Sequence, residues 1–302
     1  MQCFWTQVRK GLDMKFSVII PTYNDWSRLL QCVVALDNQT LSRDQYEIIV
    51  VDNSEDGLIP KDLFLPASVQ LVHESKPGSY AARNRGGEIS AGKILAFTDS
   101  DCIPDKDWLK NAQQYFNGRN DLVGGRVEIY NPEGGSKYGY LYERAKAFPQ
   151  HNNVPMGKGV TANLFVKKEV FEKMGRFDLS IKSGGDWNFT LRCTEAGHRI
   201  IYADDVLVKH PARDLHSIFK KHYRLTCGGA QNMKREYGHQ PLRMLGSHIK
   251  SGFIGSRNKS SGTLSRNDAI IVSTIDLLKF IYRTIIYIGM ILHLIDPNKI
   301  RE

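Results

Sequence analysis

The stretch ILAFTDSDC, Ile94 to Cys102, decides how the rest of the chain is read. An apolar run of strand character gives way to two aspartates, Asp99 and Asp101, with one residue between them. Residues two apart on an extended segment point to the same side, and two carboxylates held together repel unless a cation joins them. Oxygen ligands of this kind suit Mg2+ or Mn2+, which combine a few carboxylates with water and substrate phosphates. The alternative is an ordinary turn or helix cap.

Upstream of that stretch, "FSVIIP" (16–21), "YEIIVVD" (46–52) and "VQLVHE" (69–74) are further strand candidates, and "KILAFTD" (93–99) is the fourth. Between them, "DWSRLLQCVVALDNQT" and "SYAARNRGGEISAG" carry apolar residues at helical spacing. The alternation predicts an α/β fold with a mostly parallel sheet, whose near-continuous apolar strands are covered on both faces. In such sheets ligands bind beyond the carboxyl ends of the strands. Those ends read Pro21-Thr22-Tyr23-Asn24, Asp52-Asn53-Ser54 and Asp99-Ser100-Asp101.

These segments, in order, resemble family 2 glycosyltransferases: "SVIIPTYND", "EIIVVDNSEDG", "KPGSYAARNRGGEISAGKILAFTDSDC" and "GGDWNFTLRCTEAGHRIIYADDVLVKH". The resemblance spans about Lys15 to His210. It implies a GT-A fold, a Rossmann-like nucleotide-sugar-binding half followed by an acceptor half, and inverting transfer from a nucleoside-diphosphate sugar, UDP-linked in this reading, to a hydroxyl acceptor. It places Pro21, Thr22 and Tyr23 beside the nucleobase, Asp52 in hydrogen bonding to it, and Arg83 and Asn84 near the nucleotide. Asp99 then approaches the ribose, Ser100 belongs to the donor-binding set, and Asp101, with Asp99 and His210, faces Mn2+ or Mg2+.

The residue types fit those roles. Asp52 ends a strand where its carboxylate accepts from an imide N–H, or else caps the "DNSEDG" turn. Lys76 and Arg83 flank a Pro-Gly-Ser turn at a helix start, a setting that favours phosphate; a solvated basic face is the other reading. Transfer also needs a base to take the acceptor's proton. Asp186 is the candidate, after Ser183-Gly184-Gly185 and at the head of a helix that stops at Gly197, where an aspartate also serves as a cap. Gly185 stands where the family pattern has a glutamate, so an acceptor contact is missing or supplied elsewhere. Trp187 offers an aromatic platform for a sugar ring or a core side chain. His210 is a ligand, a donor or a structural histidine, and Asn163 is expected to face the sugar.

With 302 residues, 41% of them apolar and 24% charged, the chain has the composition of a globular protein. Its five scattered cysteines include no C-x-x-C pair, which argues against a disulfide framework or a zinc knuckle. Residues 1–14 read as a leader without a secretion signature, 15–105 as the donor half, 106–210 as the acceptor half, and 211–302 as a basic helical region.

Charge is divided unevenly: residues 1–206 carry 25 Lys+Arg against 26 Asp+Glu, and residues 207–302 carry 16 against 6. Ser251 to Asn267 reads as a linker. Ala269 to Ile295 is apolar but interrupted by Asp276, Lys279 and Arg283, too short an uncharged run to span a bilayer. Ser273, Asp276, Lys279, Arg283 and Tyr287 share one helical stripe, which predicts either a helix lying on an anionic membrane surface or one packed on the protein itself. The expected setting is the cytoplasmic face of the cell membrane, with a glycan or lipid-linked acceptor. The rival readings are a sugar nucleotidyltransferase, which lacks its Gly-rich phosphate loop here, and a basic nucleic-acid-binding protein, for which no motif is present.

Overall fold

The computed structural model describes residues 14–296 apart from 56, 58, 61, 117, 238–240 and 256–263. The leader, Cys3 and the middle of the expected 251–267 linker lie outside the described residues.

Strands β1 (Phe16–Thr22), β2 (Tyr46–Asp52), β3 (Val69–His73) and β4 (Ile94–Thr98) pair in parallel in the order β3-β2-β1-β4. Helix α1 (Trp26–Asp37) lies between β1 and β2, and α2 (Ser79–Ile89) between β3 and β4. Side chains alternate across the sheet as the two-residue period requires. Phe16, Val18 and Ile20 enter one core with Ile48 and Val50, and Ile19 enters another with Leu95 and Phe97. Both faces are therefore dry, and the apolar runs are continuous for that reason. The sequence RNRGG lets α2 lie close on the sheet: a Cβ at Gly86 would sit 2.5 Å from Ile19 Cγ2.

Beyond β4 the sheet turns antiparallel. After β5 (Ile103–Pro104), α3 (Trp108–Tyr115), β6 (Leu122–Tyr130) and α4 (Lys137–Lys146), strand β7 (Asn163–Lys167) pairs antiparallel to both β4 and β6. Helices α5 (Lys168–Lys173) and α6 (Gly185–Glu195) precede β8 (Ile200–Pro211), which holds β5. The eight strands run β3-β2-β1-β4-β7-β6-β8-β5, a mixed sheet whose first four strands in this order are parallel.

The chain closes with α7 (Leu215–Tyr237), α8 (Pro241–Gly255) and α9 (Arg266–Ile291). Two compact units emerge. One contains 14–128, 148–179 and 185–210; the other adds 129–147 and 180–184, which the sequence reading assigned to the catalytic domain, to 211–296. The four described cysteines are free and buried.

Within the second unit, Asp276, Lys279 and Tyr287 of the α9 stripe face protein, while Ser273 is exposed. Asp276 accepts from Tyr142 Oη at 3.0 Å and pairs with Lys146 and Lys279 at 2.9 and 2.8 Å. Tyr287 is buried, beside Ile286 and Met290. An ion cluster with Tyr142 satisfied inside a helical bundle is cheaper than one left unpaired, and it turns the helix over. The exposed residues of α9 from Ala269 onward are Ala269, Ile270, Ser273, Thr274, Leu277, Leu278, Ile281, Ile285 and Ile288, with no charge among them. No helix among the described residues is long and apolar enough to cross a membrane.

Candidate active site

Register sets the site. Thr22 pairs with Asp52 and Asp52 with His73, so three parallel strands end side by side, with the Asp99-Ser100-Asp101 turn following the fourth. The Asp52 carboxylate is buried and accepts from Ser54 N–H at 3.0 Å and Ser54 Oγ at 2.8 Å, with His73 Nδ1 at 3.2 Å. The turn-capping role and the strand-end position thus coexist. Thr22 Oγ1 is buried beside it with no partner among the described residues, an omission that costs free energy unless a ligand supplies one. Pro21 is buried, while Tyr23 is 55% exposed. Lys76 is exposed, and its carbonyl accepts from Asn53.

Arg83, on α2, is buried and donates to Asp99 Oδ1 at 2.5 Å, yet its Nε has no partner among the described residues. A guanidinium with a spare donor suits an anionic oxygen. Asn84 does not: its amide clasps the Phe177 backbone in both directions, at 2.9 and 3.0 Å. Its side chain thus ties α2 to the Phe177 backbone next to Arg83.

Asp99, Asp101 and Cys102 have ligand atoms within 4.8 Å of one another. The Cys102 thiol is pushed up by burial and by the two aspartates, so it remains a neutral, poor ligand. A better third donor stands opposite. His210, fully buried against the Phe148 ring, has Nε2 3.4 Å from Asp101 Oδ2. Two carboxylates and an imidazole form a donor set that Mn2+ or Mg2+ fits. Ser100, in the turn between the aspartates, is half-buried.

Asp186 opens α6. Its Oδ1 accepts from Trp187 N–H at 2.9 Å and from Tyr80 Oη at 3.3 Å. Burial raises its pKa, opposed by the Trp187 N–H, the Arg83 charge and the Thr161 N–H, with Asp99 adding to the rise. A carboxyl so raised is a stronger base than an ordinary aspartate. Trp187 is 38% exposed, with Lys158 Nζ 5.2 Å from its ring centre.

Asn163 is a correction. It is fully buried, its Oδ1 accepts from Trp108 Nε1 at 2.9 Å, and its Nδ2 donates to the Arg126 and Val206 carbonyls, both at 2.8 Å. No atom is left for a sugar. Conversely, His73, Tyr80 and Arg28, whose guanidinium reaches within 3.9 Å of Asp101, escaped the sequence reading. The register of β3 on β2 would have found His73.

The family model "Glycosyl transferase family 2" matches residues 17–175. This chain belongs to glycosyl transferase family 2. Glycosyltransferase AglE of Haloferax volcanii is 38% identical over 230 residues, covering 71% of this chain and 73% of that protein. Among solved structures, mannosyltransferase PcManGT from Pyrobaculum calidifontis, in complex with GDP-Man and Mn2+, aligns with a TM-score of 0.54 at 19% identity. That alignment covers 96% of this chain and 92% of that one. GalNAc-T7 with UDP, GalNAc and Mn2+ aligns at 0.52 and 18%, over 67% and 44% of the two chains. These likenesses place the fold in the GT-A class. As a family 2 member the chain is a glycosyltransferase, and the nucleotidyltransferase and nucleic-acid-binding readings fall away.

Proposed function

We propose that the protein transfers a sugar, with inversion, from a nucleoside-diphosphate sugar to a hydroxyl of a glycan or lipid-linked acceptor. The observation that carries this reading is geometric: Arg83 bonds Asp99 and lies over the Tyr80 ring, whose hydroxyl bonds Asp186, so base, phosphate-binding cation and metal-side carboxylate share one site. Thr22 Oγ1 and Asp52 receive the base, a uracil whose imide N–H donates to the carboxylate. Arg83 Nε meets the diphosphate. Asp101, Asp99 and His210 would hold Mn2+ or Mg2+, an ion that would supply positive charge beside the nucleoside-diphosphate leaving group.

Asp186 takes the acceptor hydroxyl's proton as its oxygen attacks the anomeric carbon from the side opposite the leaving group, and Trp187 supports the acceptor ring. Product analysis with a panel of nucleoside-diphosphate sugars tests this. The expected products are a nucleoside diphosphate and a glycoside of inverted configuration; retained configuration would contradict the assignment of Asp186 as base.

The setting we propose is an anionic membrane surface on the cytoplasmic side. Two features support it: the cationic excess after Val206, and the uncharged outer face of α9. Contiguous exposed apolar surface of this kind marks an interaction site. Positive charge commits it to lipid head groups rather than a neutral partner.

A further inference from the structure

Gly185 is needed for a neighbour rather than for a turn. Its backbone is not in the left-handed region, unlike that of Gly184. Yet a Cβ at 185 would lie 2.7 Å from Tyr80 Cε2 and 2.8 Å from Cζ, closer than packed carbons approach. The Tyr80 ring therefore occupies the space that a side chain at 185 would take. It is pinned there by Phe177, with ring centres 5.4 Å apart, and by the Arg83 guanidinium 5.8 Å from its centre.

The hydroxyl at the end of this ring meets Asp186 twice. It donates to Oδ1 at 3.3 Å and accepts from the Asp186 N–H at 3.2 Å. Burial and the Asp186 charge push the phenol pKa well up, so the group stays a protonated donor. Oδ1 is thus held by two donors, Tyr80 Oη and the Trp187 N–H, which fixes the plane of the carboxylate.

We propose that Tyr80 is a positioning residue that fixes the Asp186 carboxylate for proton abstraction, and that Gly185 is the opening that admits it. The inference rests on reading Asp186 as the base. It also links the two substrates, because the arginine that stacks on Tyr80 is the one bonded to Asp99.

The test is Tyr80→Phe, which keeps the ring, its packing and the Arg83 contact and removes only the hydroxyl. A hydrogen bond to a charged group is worth enough that kcat should fall about 10–100-fold, with the donor KM within about twofold of wild type. The charged groups facing Asp186 are Arg83 and Asp99, and neither changes. Loss of the donated bond should therefore move the acidic limb of the kcat/KM profile to higher pH. Gly185→Ala should reproduce both effects by displacing the ring.

In an Asp186→Asn background, Tyr80→Phe should cost nothing more. An unmoved acidic limb, or an equal loss in the Asn background, would overturn the role of Tyr80 and leave the base assignment standing. Near-normal turnover by Asp186→Asn alone would instead overturn the base and this proposal together.

Discussion

Replacing Ile281 and Ile285 by glutamate should release the protein from anionic vesicles without unfolding it. Both lie on the uncharged face of α9, 46% and 59% exposed, so the folded protein loses little by the exchange. Full burial of an isoleucine side chain yields about 1.5–3 kcal/mol, so immersing the exposed half of each gives roughly 1 kcal/mol, or about 2 for the pair. Two anionic groups at an anionic surface add about 1 kcal/mol each of repulsion. The sum, about 4 kcal/mol, corresponds to roughly a thousandfold weaker partitioning. Flotation with phosphatidylglycerol vesicles measures it, with the melting temperature as the control for folding. Equal flotation of variant and wild type would refute the reasoning, as would a wild type that ignores vesicles but dimerises through this face. Deleting the helix is the wrong experiment, because Val272, Ile275, Ile286 and Met290 are core residues of its own unit.

Asp186→Asn should reduce transfer by about a hundredfold or more, the usual scale for a positioned base, while donor affinity persists; transfer near the wild-type rate would leave Asp186 a cap only. In the wild type, activity should fall as pH drops through a carboxyl pKa above the ordinary 3.8, because a raised base is protonated sooner; a limb in the ordinary range would contradict its burial. Asn163→Ala should orphan the Trp108 N–H and two carbonyls and destabilise by at least about 3 kcal/mol at roughly 1–3 kcal/mol per group, as measured by urea denaturation. His222 is pushed down to about 3 by burial and by Lys279, Lys221 and Arg283, against Asp276. The unfolded chain binds its proton first, so stability contributed by the neutral imidazole should be lost as pH falls from about 6.5 towards 3. His222→Asn should flatten that dependence in thermal melts across this range, and an unaltered slope would count against it.

The parallel half of the fold was legible because buried strands and their helices write two distinct periods into the sequence, and strand ends carry the polar residues. Asp52, Asp99 and Asp101 were placed at strand ends that way. Periodicity says which residues share a face but not which way the face turns. The α9 stripe left open whether the helix lies on a membrane or packs on the protein, since Tyr142 and Lys146, the partners of Asp276, lie more than a hundred residues away in sequence. Asn163 misled for a related reason: a strand-end amide looks available until its acceptors at Arg126 and Val206 are known. Tyr80 sits in a stretch that the motif already explained, and only the missing Cβ of Gly185 draws the eye to it.

Calorimetric titration of a nucleoside-diphosphate sugar into the wild type and Asp101→Ala, each with and without Mn2+, bears most directly on the claim that the strand ends hold donor and metal together. The account predicts saturable binding by the wild type that strengthens with Mn2+, and a variant that is folded but no longer responds to the ion. Identical, Mn2+-enhanced binding by the two proteins would contradict it.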